Sequence, residues 1–382
     1  MDEEEDMNKT KRLPDEVFME ILSWLPIKTL LRFKCVSKSW LRLLTTDPHL
    51  PKLQLERTLE SNINNPNILL LQQGDRETNT NYYLANFSAT CPTSVKLNVP
   101  FRQDTYVRGI CNGLVLLHLA NIKDSLYIWN PLTGDYIAIP CPPTPTLFPS
   151  RHKTTTFGFG FHQASNRYKV VRFVDEFDKN NFVFNSCVSV YTLGRDSSWR
   201  TLEKDNHYKV CFMNSFAPTV NGALHWRVYK TGLHYHKVIV SFDLNDEVSQ
   251  EIPIADDATI NTPYDVEVRE LGGLLCLLCD KYLGDRQIWV MKQYGVISSW
   301  TKQFQIVCKV GLSCSYVSLP LGVANNGDLI LMKSNSELVL YDQESNLIRD
   351  LKNFGFKPRH IYTYRESLVS PNVISGSELV RT

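Results

Sequence analysis

The residues of this chain that are able to do chemistry are numerous but scattered. Among ten cysteines, Cys276 and Cys279 alone have the close C-x-x-C spacing of a redox or zinc motif. A structural zinc needs a tetrahedral set of thiolate or imidazole ligands, and this pair has neither a second pair nor a histidine at finger spacing. It sits instead in the apolar run Gly272-Gly273-Leu274-Leu275-Cys276-Leu277-Leu278-Cys279, where a thiol packs as a small hydrophobe. In a reducing compartment the remaining cysteines read the same way, as small buried hydrophobes. His234 and His236 would put two imidazoles on one face of a strand, but no carboxylate lies beside them, and a solvated hairpin edge is the reading they support. No Gly-x-Ser-x-Gly nucleophile elbow and no His-Glu-x-x-His zinc helix occurs. The sequence therefore assigns no catalytic residue, no metal ligand and no cofactor. Attention passes to surfaces that bind.

The densest surplus of apolar side chains lies in residues 12–50. Val17, Ile21, Leu22 and Leu25, then Leu30 and Leu31, then Val36, Trp40, Leu43 and Leu44 recur at helical spacing. Pro14 suits a first helical turn with Asp15 and Glu16 at its positive end, Pro26 separates one helix from the next, and Pro48 ends the third. Three short helices follow. A unit this small cannot hide all its apolar residues internally, so part of that surface must meet another body. Lys28, Arg32, Lys34, Lys38 and Arg42 lie among them as a cationic rim suited to an acidic partner.

After residue 65 the apolar period becomes two, and short strand-like runs follow one another without room for crossover helices. A loose repeat orders them. One half is Asn-Gly and an apolar strand, as at Asn112-Gly113, Asn221-Gly222 and Asn326-Gly327, with Gly272-Gly273 a degenerate copy. The other is an aromatic strand ending in a turn, as at Tyr127, Tyr191, Phe242 and Tyr341. A period of about 50 residues with about four strands each is the signature of propeller blades, and about six are expected. The strand Ile361–Tyr364 is placed to close the ring against the first blade. The expected fold is thus a small all-α three-helix unit followed by an all-β propeller.

Lys and Arg total 41 against 40 Asp and Glu, which excludes a nucleic-acid binder working through a bulk basic field. No apolar stretch is long enough to span a membrane. The acidic start, Asp2-Glu3-Glu4-Glu5-Asp6, is opposite in charge to a secretory signal, so cytoplasm and/or nucleus is the expected location.

Two resemblances give these elements a direction. Leu13-Pro14-Asp15-Glu16-Val17-Phe18-Met19-Glu20-Ile21-Leu22-Ser23-Trp24-Leu25-Pro26, with Val36-Ser37-Lys38-Ser39-Trp40 and Asp47-Pro48-His49-Leu50, resembles the plant F-box motif. That resemblance implies binding to a Skp-family adaptor, and through it to cullin and RING subunits of an SCF-type ubiquitin ligase. It also implies that Leu13, Pro14, Ile21, Leu22, Leu25, Pro26, Leu30, Leu31, Val36 and Trp40 line or support the adaptor interface. Further on, Gly109-Ile110-Cys111-Asn112-Gly113, Trp129-Asn130-Pro131, Gly158-Phe159-Gly160-Phe161, Ile288-Trp289-Val290-Met291 and Tyr364-Arg365-Glu366-Ser367-Leu368-Val369-Ser370 are similar to the plant F-box-associated domain. That domain occurs in F-box/kelch-type proteins and in the S-locus F-box group, where it captures the protein to be ubiquitinated. The implied division is an acidic segment 1–11, an F-box 12–50, a linker 51–65, a β domain 66–370 and a tail 371–382. Loop aromatics Phe148, Phe177 and Phe182 are the candidate substrate contacts. The competing reading is a propeller scaffold or small-molecule hydrolase whose helical head packs on its own β domain.

Overall fold

Prolines set the boundaries of the helical head. In the computed structural model, α1 (Asp15–Ser23) starts behind Pro14, whose carbonyl accepts the Phe18 N–H at 3.0 Å. Pro26 does the same for α2 (Ile27–Phe33), accepting from Thr29 at 2.9 Å and Leu30 at 3.2 Å. Ser37 caps α3 (Lys38–Thr45), its hydroxyl accepting the Trp40 N–H at 3.2 Å. Residues 51–60, expected as linker, instead continue a fourth helix, α4 (His49–Glu60). Pro48 and Pro51 read as breakers, yet they fall before and within the first turn, where a missing N–H costs no helical bond. Leu50 and Leu55 are buried from it, which supplies the stabilisation that a 12-residue helix lacks alone. The structure describes residues 14–60, 68–73, 80–86, 93–101, 103–119, 125–142, 152–177, 183–202, 208–209, 217–230, 237–254, 266–280, 285–306, 317–324, 326–333, 337–351 and 354–376.

Among those residues, six antiparallel sheets follow the head. Blade two, for example, runs Thr105–Cys111, Leu114–Leu119, Leu126–Trp129, Tyr136–Ile139 from inside to outside. Blade three spans His152–Leu202, blade four Tyr208–Ile252, blade five Val266–Ile306 and blade six Val317–Asp350. The second strands are buried on both faces: Leu114, Val115, Leu116 and Leu117 are all inaccessible to solvent. Their side chains alternate into the clefts between blades, as where Phe173 of blade three packs edge-on at 4.8 Å against Trp226 of blade four. Cys276 and Cys279 follow this rule. Three residues apart on one strand, they enter clusters on opposite faces, so they cannot share a ligand. Burial pushes the Cys276 thiol above its usual range. Cys35 and Cys141 depart from the buried expectation and are exposed.

The ring closes by sharing ends. Blade one takes Ile68–Gln73, Asn81–Asn86 and Thr93–Lys96 from the start of the β domain and its inner strand, His360–Thr363, from the end. The register pairs Leu69 with Thr363 and Leu71 with Ile361. Beyond this strand the chain is clamped to blade two. The Tyr364 hydroxyl donates to the Gly113 carbonyl at 2.9 Å, with burial holding the phenol protonated. The fully buried Asn130 carboxamide donates to the Ser367 and Val369 carbonyls at 2.9 and 2.8 Å, and accepts from Leu132 and Thr133 N–H at 2.8 and 3.2 Å. Gly113 is required by this passage: with φ of 77°, any Cβ there would stand 2.3 Å from that of Ser367. Residues 371–375, expected as tail, form α5 (Pro371–Ser375), from which Ile374 packs on the blade two–three cluster.

Asn130→Ala removes two buried donors and one doubly used acceptor. It is expected to cost about 2–4 kcal/mol in urea unfolding followed by tryptophan fluorescence. His225, buried in blade four with Nε2 2.8 Å from the Tyr294 hydroxyl, has its pKa lowered by burial to about 4. The unfolded chain then binds a proton that the folded chain refuses, so stability is full above pH about 6.5 and falls as pH drops toward 4. Unfolding at pH 7 and pH 5 should show this loss, at most about 3 kcal/mol over the whole window, and His225→Gln should reduce it.

Candidate docking surfaces

The head is built around Leu22, Ile27, Leu30, Leu44 and Leu50, all buried. Trp40 stands between Phe18 and Phe33, edge-on to both at 5.3 and 4.9 Å. Of the expected interface residues, Leu22 and Leu30 thus belong to the core, and Leu25, Leu31 and Trp40 are partly buried against it. Pro14, Ile21, Pro26 and Val36 reach solvent, and Leu13 lies outside the described residues. Exposure is concentrated. Val17 and Ile21 are 44 and 48% exposed at i and i+4 along α1, Trp24, which caps its end at i+7, is 64% exposed, and Val36, after α2, is 65% exposed. Arg32, Lys38 and Arg42 are exposed beside them in sequence. Trp24 is held rather than loose: its indole N–H donates to Glu20 at 3.3 Å, and the Arg57 guanidinium, ion-paired to Glu20, lies over its ring at 4.6 Å.

Other parts of the head are bound to the propeller. Leu368, from the clamped C-terminal segment, and Leu132, from the turn that Asn130 organises, both enter the head's cluster. Leu55 of α4 joins the core between blades two and three, and Lys28 pairs with Glu366 at 3.3 Å. The head therefore covers the face bearing the turns from first to second strand, such as Asn112-Gly113. Because strands alternate in direction, the strand ends bracketing 143–151, 178–182 and 255–265 open on the other face. Phe177 lies there, half-buried at a strand end; Phe148, Phe182, His234 and His236 fall outside the described residues.

Between the faces runs a channel of about 1500 Å³, walled by the inner strands and roofed at one end by Trp24 and Arg57 of the head. Its lining includes Tyr106, Arg108, Arg269, Arg359 and Tyr362. Spacing alone does not mark these residues, because they come from three distant segments that meet only when the ring closes.

Comparison with known proteins assigns both parts. The family described as the F-box associated beta propeller domain matches residues 64–374, and the F-box domain family matches residues 11–52. The chain belongs to the F-box proteins with an F-box-associated propeller. Similar relatives from Arabidopsis thaliana include F-box protein At3g07870, 30% identical over 90% of this chain and 88% of its own length. F-box protein CPR1 is 27% identical over 89% and 84%, and F-box/kelch-repeat protein At3g23880 is 26% identical over 96% and 98%. The α1 stripe and Val36 of this F-box protein fall inside its F-box match, and the closing strand and clamp fall inside the propeller match. Val17 and Trp24 are not among the interface residues expected from sequence. Their spacing with Ile21 carries the signal, but period alone does not say which stripe of a helix faces inward.

The head separates two kinds of residue by measurement. Leu30→Ala is expected to lower stability by about 2–5 kcal/mol through cavity formation. Ile21→Asp and Val36→Asp, on exposed sites, should each shift it by less than about 1 kcal/mol.

Proposed function

We propose that this F-box protein is the substrate-recognition subunit of an SCF-type ubiquitin ligase, with no catalysis of its own. The observation that carries the reading is the apolar surface left on the head away from its contacts with the propeller: Val17, Ile21 and Val36, with Trp24 exposed at the rim where the head meets the channel. Burying a side chain of this size against a partner contributes about 1.5–3 kcal/mol, and the family to which the head belongs implies a Skp-family adaptor as that partner. Pro14, Pro26 and the partly buried Leu25, Leu31 and Trp40 would extend the contact, with Leu22 and Leu30 holding it from beneath. Arg32, Lys38 and Arg42 suit acidic residues at its rim. The substrate protein would bind the propeller face away from the head, where the long connections begin and end. The same reading puts the protein in the cytoplasm or nucleus, where such ligases act.

The scaffold or hydrolase alternative also requires the head to pack on its own β domain, which it does through Leu132, Leu368 and Leu55. That packing accounts for the buried side of the head and leaves the exposed stripe without a role. Purified full-length chain should capture a plant Skp-family adaptor in pull-down and calorimetry. Ile21→Asp combined with Val36→Asp should weaken capture by about a hundredfold or more, with the far-ultraviolet circular dichroism unchanged. These two positions serve better than Leu22, where a charge would unfold the head itself. Undiminished capture by a folded double variant would sink the assignment.

A further inference from the structure

We infer that the half of the central channel remote from the head is a binding site for an anionic group of the phosphate class. Three guanidinium groups reach it from three blades: Arg108 on the inner strand of blade two, Arg269 on that of blade five, and Arg359 at the entry to the closing strand of blade one. All three act electrostatically on the phenol of Tyr362, whose proton burial would otherwise hold more firmly still. That segments about 250 residues apart line one channel is a product of ring closure.

The charges there are only partly balanced by the fold. Arg269 donates to Glu267 on its own strand at 2.9 Å. Arg108 and Arg359 have no carboxylate partner among the described residues. The Arg108 Nε is sealed from solvent without a hydrogen-bond partner, and its guanidinium carbon lies 5.4 Å from the centre of the Tyr106 ring. Burial is the main influence on Arg108 and lowers its pKa. A desolvated cation without an opposite charge destabilises a fold unless one arrives. The acids that line the channel are engaged at the other end: Glu270 accepts the Gly273 N–H at 2.5 Å in a head-side turn, Glu366 pairs with Lys28, and Glu56 of α4 pairs with Lys52. The remote half is thus basic, with Tyr106 and Tyr362 as further polar groups on its wall.

Planar guanidinium forks match phosphate oxygens in pairs, and a phosphate monoester carries nearly two charges to set against them. The group has two sources, a phosphorylated side chain of a bound protein or a free small phosphate, and the recess recognises the chemistry they share. The site faces the surface proposed for substrate, yet its existence does not depend on the head binding an adaptor.

The test is calorimetric titration of the full-length chain at constant ionic strength. One arm uses inorganic pyrophosphate; the other uses a short phosphoserine peptide and its unphosphorylated twin. Saturable binding of the phosphate-bearing probes is expected. Arg108→Gln with Arg359→Gln should weaken it about tenfold or more, Arg108→Lys with Arg359→Lys less, and Arg365→Gln, at the head-side mouth, little. Tighter pyrophosphate binding identifies a small-molecule source and tighter phosphopeptide binding a protein source; either supports the site. Should the double glutamine variant lose its cooperative melt, Arg359→Gln alone, at an exposed position, carries the comparison. Absence of saturable binding to both phosphate probes overturns the inference, as does equal affinity in a folded glutamine variant or equal binding of the unphosphorylated peptide.

Discussion

The buried carboxamide of Asn130 joins parts of this molecule that sequence holds far apart. Its amide nitrogen grips the Ser367 and Val369 carbonyls, and its oxygen shapes the turn that carries Leu132. The gripped segment directly follows the closing strand of blade one and directs Leu368 into the core of the head. One segment therefore both closes the propeller and places the head. A strand returning over nearly the whole length of the β domain loses a large closure entropy, which local pairing alone does not offset. Hydrogen bonds made away from water, where an unmade partner is costly, help to hold the returned strand in place.

From that clamp the polarity of the protein follows. The head is attached to the hairpin face of blade two by apolar contacts and the Lys28–Glu366 ion pair, so its exposed stripe has a defined direction relative to the ring. A head joined by a flexible linker would leave that direction open. Residues 51–60 form a packed helix, whose Arg57 pairs with Glu20 of α1 and whose Leu55 enters the blade core. The remote face and the basic half of the channel then point away from the surface on which an adaptor would sit.

Much of this architecture is legible in the amino-acid order. The second and third strands of each blade announce themselves because both their faces are buried, which demands runs such as Leu114-Val115-Leu116-Leu117. The flanking strands are harder to see: Leu347–Asp350 is exposed throughout, and Thr93–Lys96 nearly so, leaving no burial pattern to read. The Asn-Gly turns are readable because positive φ at successive residues selects those types, as Asn112 and Gly113 and Asn221 and Gly222 confirm with φ between 50 and 77°. Helix α4 escapes a reading by spacing because Pro48 and Pro51 break a helix in its interior but not at its start.

The sequence by itself determined the helical head, the all-β repeat, the closing strand and the family, since each rests on local spacing or on a contiguous motif. Only the tertiary structure decided which apolar residues of the head remain on the surface. Leu22 and Ile21 are neighbours in the chain and alike in chemistry, yet one is core and the other exposed, because a helix turns adjacent residues about 100° apart and packing alone selects the inward side. It also decided that Arg108, Arg269 and Arg359 share one channel. No local rule relates residues so distant, and closure of the ring brings them together.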